Sequence, residues 1–103
     1  MFKKSIVNTE AGETTTWLVG EKRCSTCRIT AFRMSDEFAK KNNRTPMCGL
    51  TVAVWDFSDW GWKEVITGEI FTYSEVREML RKDTVLPEVQ KMLKDYFNIE
   101  ISI

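Results

Sequence analysis

The sequence predicts an α+β domain: an antiparallel or mixed sheet of about five to six strands, with one short helix and two C-terminal amphipathic helices packed on it. Three observations lead there. The N-terminal third and the stretch GLTVAVWDF are rich in β-branched and aromatic residues. Two segments between residues 72 and 97 repeat apolar residues at helical spacing behind recognisable start signals. The chain ends in IEISI, which alternates isoleucine with polar residues.

Taken in order, FKKSIVN and TTTWLV read as two strands of a hairpin joined by TEAGE, in which Gly12 suits the turn. CRITAF resumes as a strand after GEKR, with Ile29, Thr30 and Ala31 at its centre. Ser35 precedes DEFAKKN, an N-cap followed by acids in the first turn, which predicts a short helix ending before Asn42 and Asn43. Pro46 and Gly49 mark a loop. GLTVAVWDF has apolar residues on both parities, the pattern of a strand covered on both faces, and WKEVITGEIF follows as its antiparallel partner. Thr72 and Glu75 stand in capping-box spacing, with Phe71 and Val76 placed as a hydrophobic staple. That helix buries Tyr73, Val76, Met79 and Leu80; the next opens around Pro87 and buries Val89, Met92, Leu93 and Tyr96. IEISI completes the sheet as a half-buried strand.

The hairpin VWDFSDWGWKEV admits two registers. A two-residue loop Asp59-Trp60, or a four-residue loop from Ser58 to Gly61, pairs Phe57 with Trp62, Asp56 with Lys63, Trp55 with Glu64 and Val54 with Val65. A three-residue loop with Gly61 left-handed serves the turn better but sets Asp56 against Glu64. The first register, with its aromatic and opposite-charge pairs, is the expectation. Asp59 then acts as a turn former, Asp56 as a strand-surface charge, and Trp55 as core. Trp60 lies at the tip in either case, folded back on Phe57 or Trp62, or presented as an anchor for a partner.

With 103 residues, 43% hydrophobic and 29% charged, the chain fits a single domain spanning 1–103 with one core. No run approaches the roughly 20 apolar residues of a membrane helix, and MFKKSIVNTEAGE lacks the apolar stretch of a secretory leader. Three cysteines, an odd number, fit a reducing compartment, so the expected location is the cytoplasm and no membrane partner is expected. Net charge is zero but divided: residues 1–49 hold nine Lys/Arg against five Asp/Glu, and residues 50–103 hold six against ten. The basic excess is densest between residues 22 and 44, and this segment would favour an anionic partner.

Cys24-Ser-Thr-Cys27 followed by Thr45-Pro-Met-Cys48 resembles the ligand spacing of a zinc ribbon, with Thr45 where a third ligand would stand. The chain has no histidine, so the weak metal candidates Cys24, Cys27 and Cys48 lack a fourth ligand of the usual kind. Zinc is the one cofactor this spacing admits, and the expectation is no cofactor. A redox reading of CSTC would need a helix start, whereas the residues after it read as strand. Without histidine there is no Ser-His or Cys-His pair, and no glycine-rich phosphate loop is present, so no catalytic residue is assigned and an enzyme is not expected.

The leading functional expectation is a small stand-alone intracellular binding protein acting by protein–protein contact, such as an inhibitor or modulator of a larger protein or nuclease. Its candidate partner-binding residues are Asp59, Trp60 and Trp62 on the hairpin, and Arg23, Arg28, Arg33, Lys40, Lys41 and Arg44 in the basic segment. The alternative is a nucleic-acid-binding domain using residues 22–44, with nearby aromatics as a stacking surface. A third is an accessory domain with a degenerate zinc-ribbon-like cysteine site.

Overall fold

Strand pairing follows chain order. The computed structural model describes residues 2–21, 24–67 and 70–103, with side chains for all of these except residues 21, 24 and 25. Strands β1 (Phe2–Thr9), β2 (Gly12–Glu21), β3 (Cys24–Met34), β4 (Cys48–Asp56) and β5 (Gly61–Ile66) form one sheet in the order β1-β2-β3-β4-β5. Every neighbouring pair is antiparallel. Helix α1 (Asp36–Lys41) lies between β3 and β4, and α2 (Tyr73–Lys82) and α3 (Val85–Phe97) follow β5. The α+β class is as expected, with five strands and no parallel pair among the described residues.

Local chemistry sets most of these boundaries. The β1–β2 turn is two residues long, Thr9 pairing with Gly12. At Gly12 the φ angle is 155°, and a Cβ would run into the Arg33 carbonyl oxygen, so only glycine lets β2 start against β3 at this point. Ser35 Oγ accepts the Phe38 amide at 3.1 Å and opens α1. Thr72 and Glu75 complete both halves of the capping box that opens α2. Phe71 packs against the core beside the start of this helix, as a staple should.

Helices α2 and α3 cover one face of the sheet. Trp17, Val19, Cys27, Ile29, Ala31, Leu50, Val52 and Ile66 meet Val76, Met79, Val85, Val89 and Leu93 there, and all are buried. Met34 and Ala39 are buried apart from this cluster, at the end of the sheet where α1 lies. The opposite face carries Leu18, Arg28, Thr30, Phe32, Thr51, Trp55 and Trp62, all half-buried among their own neighbours. No helix among the described residues is long and apolar enough to cross a membrane.

Three expectations are corrected. The tail 99–103 is not a strand. Asn98 takes a left-handed conformation, φ 54°, and the Ile99 amide donates to the Leu93 carbonyl at 2.9 Å, which turns the chain back along α3. Gln90 Nε2 then donates to the Ile101 carbonyl at 2.9 Å, so the isoleucine alternation buries Ile101 against the helices without a ladder. Tyr96 is 78% exposed rather than buried, because the apolar face of α3 reaches the core through Val85, Val89 and Leu93 and its last turn overhangs. The β4–β5 register is the third correction, and it forms part of the site.

Candidate functional site

Neither expected register occurs in the hairpin. Asp56 pairs with Gly61, Trp55 with Trp62, Val54 with Lys63 and Ala53 with Glu64, and a shift between Val52 and Ala53 restores the pairing of Val52 with Ile66. The loop is therefore Phe57 to Trp60. Its cause is Asp56, whose Oδ1 accepts the amides of Ser58 at 2.8 Å and Asp59 at 3.4 Å. The carboxylate mimics a turn of backbone and ends the strand at Asp56, one residue short of the pairing of Phe57 with Trp62. Asp56 is thus the turn former, rather than a strand-surface charge.

The left-handed residue of the loop is Trp60, with φ 50°, and not Gly61 beside it. An L-residue with a bulky side chain occupies this region at a cost of about 1–2 kcal/mol. Trp60 is 77% exposed and Phe57 60% exposed. Trp55, assigned to the core from sequence, is half-buried and stands at the centre of an aromatic group. Its ring meets Trp62, Trp60 and Phe57 edge-on, at centroid separations of 5.5, 6.3 and 6.4 Å. Trp60 therefore does fold back, on Trp55 rather than on Phe57 or Trp62, and still shows most of its surface. Such edge-on contacts fix ring directions as well as adding stability.

Arg28 joins this group from β3. It lies opposite Ala53, and its guanidinium sits 4.9 Å from the Trp62 ring centroid, in cation–π contact. The other basic residues do not gather with it. β3 runs the length of the sheet, and Arg33, five positions further on, is roughly 16 Å away. Arg33 is exposed, on the parity of the helix-covered face. Lys40 and Lys41 lie on α1 at that same far end, Lys41 in an exposed ion pair with Glu10 at 3.6 Å, and Arg44 Nη2 contacts the Met47 sulfur at 3.4 Å. Lys22 and Arg23 lie outside the described residues. Among the described residues, Arg28 alone of the basic candidates sits with the tryptophans.

The cysteines are also divided. Cys27 lies opposite Val54 and Cys48 opposite Arg33, six rungs apart on one strand pair, or roughly 20 Å. They cannot share one ion in this arrangement, and no cluster of three His, Cys, Asp or Glu residues placed to hold a metal occurs among the described residues. The Cys24 side chain lies outside them. Burial pushes the Cys27 thiol up to about 11 and raises that of Cys48, which nearby Arg33 and Arg77 partly offset. A raised pKa suppresses the thiolate that nucleophilic or metal chemistry would use.

No known protein family, curated protein or solved structure matches this chain. The site must therefore be read from its own chemistry. Two residues that sequence reasoning missed belong to it. Phe57 was expected to pair across the hairpin and instead is displayed at its tip. Asp56 carries the turn. The signal available for both was the D-x-S/D spacing of Asp56, Ser58 and Asp59, which allows the first aspartate to cap the loop.

Proposed function

We propose that this protein acts by contact with another protein, with the β4–β5 hairpin as the contact element. The reading rests on Trp60: a large aromatic side chain is held in a strained backbone conformation, beside a glycine that does not use its freedom, and is left mostly in solvent. Strain kept at an exposed residue suggests a role for the side chain rather than for the fold. Trp55 braces it from behind and is itself held by Trp62, and Phe57 extends the apolar surface. A rigid, aromatic anchor of this type loses little entropy on binding and is the residue class whose truncation costs most at interfaces. The acidic Asp59 and the basic Arg28 border the group and would set orientation. Inhibition or modulation of a larger intracellular protein, in a reducing cytoplasm, is the function class that such a small contact module suits.

Trp60→Asn tests this, since asparagine accepts the left-handed conformation. The expected result is an unchanged melting temperature within a few degrees, with loss of the partner captured by the wild-type protein from its native host. A partner retained equally by both proteins would overturn the reading.

Arg28 on Trp62, with Phe32 on the same uncovered sheet face, favours a second reading as a platform for stacking single-stranded nucleic acid. Binding by gel shift at low salt that weakens steeply as salt is added, and is lost in Arg28→Ala, is its expected signature. Absence of any shift at low salt rejects it.

A further inference from the structure

The two edges of the sheet are built differently. β5 has six residues, is set against β4 through a register shift, and carries Lys63 and Glu64 in succession. Short length, irregular pairing and charge are the means by which natural sheets keep an edge from adding another strand. β1 has eight residues, pairs with β2 in unbroken register, and contains neither proline nor bulge. All eight of its residues are exposed, although Phe2, Ile6 and Val7 are among them, at 46%, 51% and 57%. Two lysines stand as potential guards. One of them, Lys4, is drawn aside, because its ammonium group lies 5.7 Å from the Trp17 ring centroid.

We infer that β1 is a dimerisation edge, and that its occupant is β1 of a second copy of this chain. Charge and side-chain parity both favour this occupant. Lys3 and Lys4 lie at the start of the strand and Glu10 just beyond its end. A parallel copy would oppose lysine to lysine, whereas an antiparallel copy brings the basic end of each strand towards the acidic end of the other. Antiparallel edges related by a two-fold axis through the sheet keep both helix layers on the same side, so residues facing one side must meet. Centring the pair on Ile6 satisfies this. Ile6 then faces its own copy, Lys3 faces Thr9, Lys4 faces Asn8, and no rung holds two like charges. The product is a continuous ten-stranded sheet, within the range that twisted open sheets reach. The hairpin and its tryptophans lie on the far edge of each copy, so the dimer would present two of them.

The test is the solution mass of the full chain. Light scattering during size exclusion is expected to give twice the mass of one chain for the wild type, and one chain mass for Ile6→Lys, which places two lysines face to face at the axis. Ile6 is half exposed and lies outside the buried core, so circular dichroism of Ile6→Lys should match the wild type. Ile6→Cys is expected to cross-link to a covalent dimer under mild oxidation, as its two copies would be adjacent. A wild-type protein that remains monomeric at its highest soluble concentration overturns the inference. So does a dimer that survives Ile6→Lys, or one in which Ile6→Cys does not cross-link: in either case the copies meet elsewhere.

Discussion

The Asp56 carboxylate holds the Ser58 amide at 2.8 Å, and this one bond determines where β4 ends. Replacing the carboxylate should therefore unsettle the loop without touching the core. Asp56→Ala is expected to lower stability by about 1 kcal/mol, the usual net worth of such a hydrogen bond. Asp56→Asn, which keeps an acceptor oxygen in the same place, should lose less. Urea titrations of the three proteins check the order, and an equal loss in both variants would assign the effect to charge instead.

Trp55 touches three aromatic rings and Trp60 touches one, so truncations should differ in cost. Trp55→Ala is expected to destabilise by about 3 kcal/mol, near the lower end for a well-packed tryptophan because the ring is only half-buried. Trp60→Ala should cost less than about 1 kcal/mol, since relief of backbone strain is not part of this change and little buried area is lost. A double-mutant cycle between Trp55 and Trp62 should return a coupling of about 0.5–1.5 kcal/mol. Additive single changes would show that the edge-on geometry adds nothing beyond burial.

At Gly12 the expectation is steric. A methyl group there meets the Arg33 carbonyl, which belongs to backbone already held in the sheet and cannot swing away. Gly12→Ala should lower the midpoint of denaturation by the equivalent of about 2 kcal/mol or more, with the slope unchanged. The corresponding change at Gly49, where a Cβ would meet nothing within 4 Å, serves as the control and should be close to neutral.

Burial raises the Cys27 thiol from 9.0 to about 11, so the unfolded chain gives up this proton first as pH rises. The folded state consequently loses stability between about pH 9 and about pH 11, by something on the order of 2 kcal/mol. Below pH 9 the contribution is fully present. Chemical denaturation at pH 8.5 and pH 10.5 should show a steeper decline for the wild type than for Cys27→Ala, in which the titrating group is gone. Parallel declines would show that Cys27 is not the source of the alkaline loss.

Signals that act over three or four residues were legible in the sequence. Ser35 capped α1, and Thr72 with Glu75 capped α2, because a cap depends only on its immediate neighbours. The first hairpin followed from two β-rich runs with a short connection between them, although Gly12 opens β2 instead of lying in the turn. The second register was not legible, because turn preferences assign the left-handed position to Gly61, and only the reach of the Asp56 side chain moves it to Trp60. Alternation in the tail reported burial correctly for Ile101 but could not distinguish a sheet neighbour from a helix. The basic segment looked like one patch because its residues adjoin in sequence. A strand of eleven residues carries its two ends to opposite ends of the sheet, and Arg28 and Arg33 part company along it.

The meander order has a kinetic consequence. Since every strand pairs with its neighbour in sequence, no pairing must wait for distant chain ends to meet, and the entropy lost in closing each loop stays small. The sheet can grow one hairpin at a time as the chain leaves the ribosome, with β2 and β3 available early as a template. The helices come last, after the surface they cover has formed. Until then Trp17, Ile29 and Leu50 stand in water together, and the interval before α2 and α3 arrive is when the nascent chain is most exposed to aggregation.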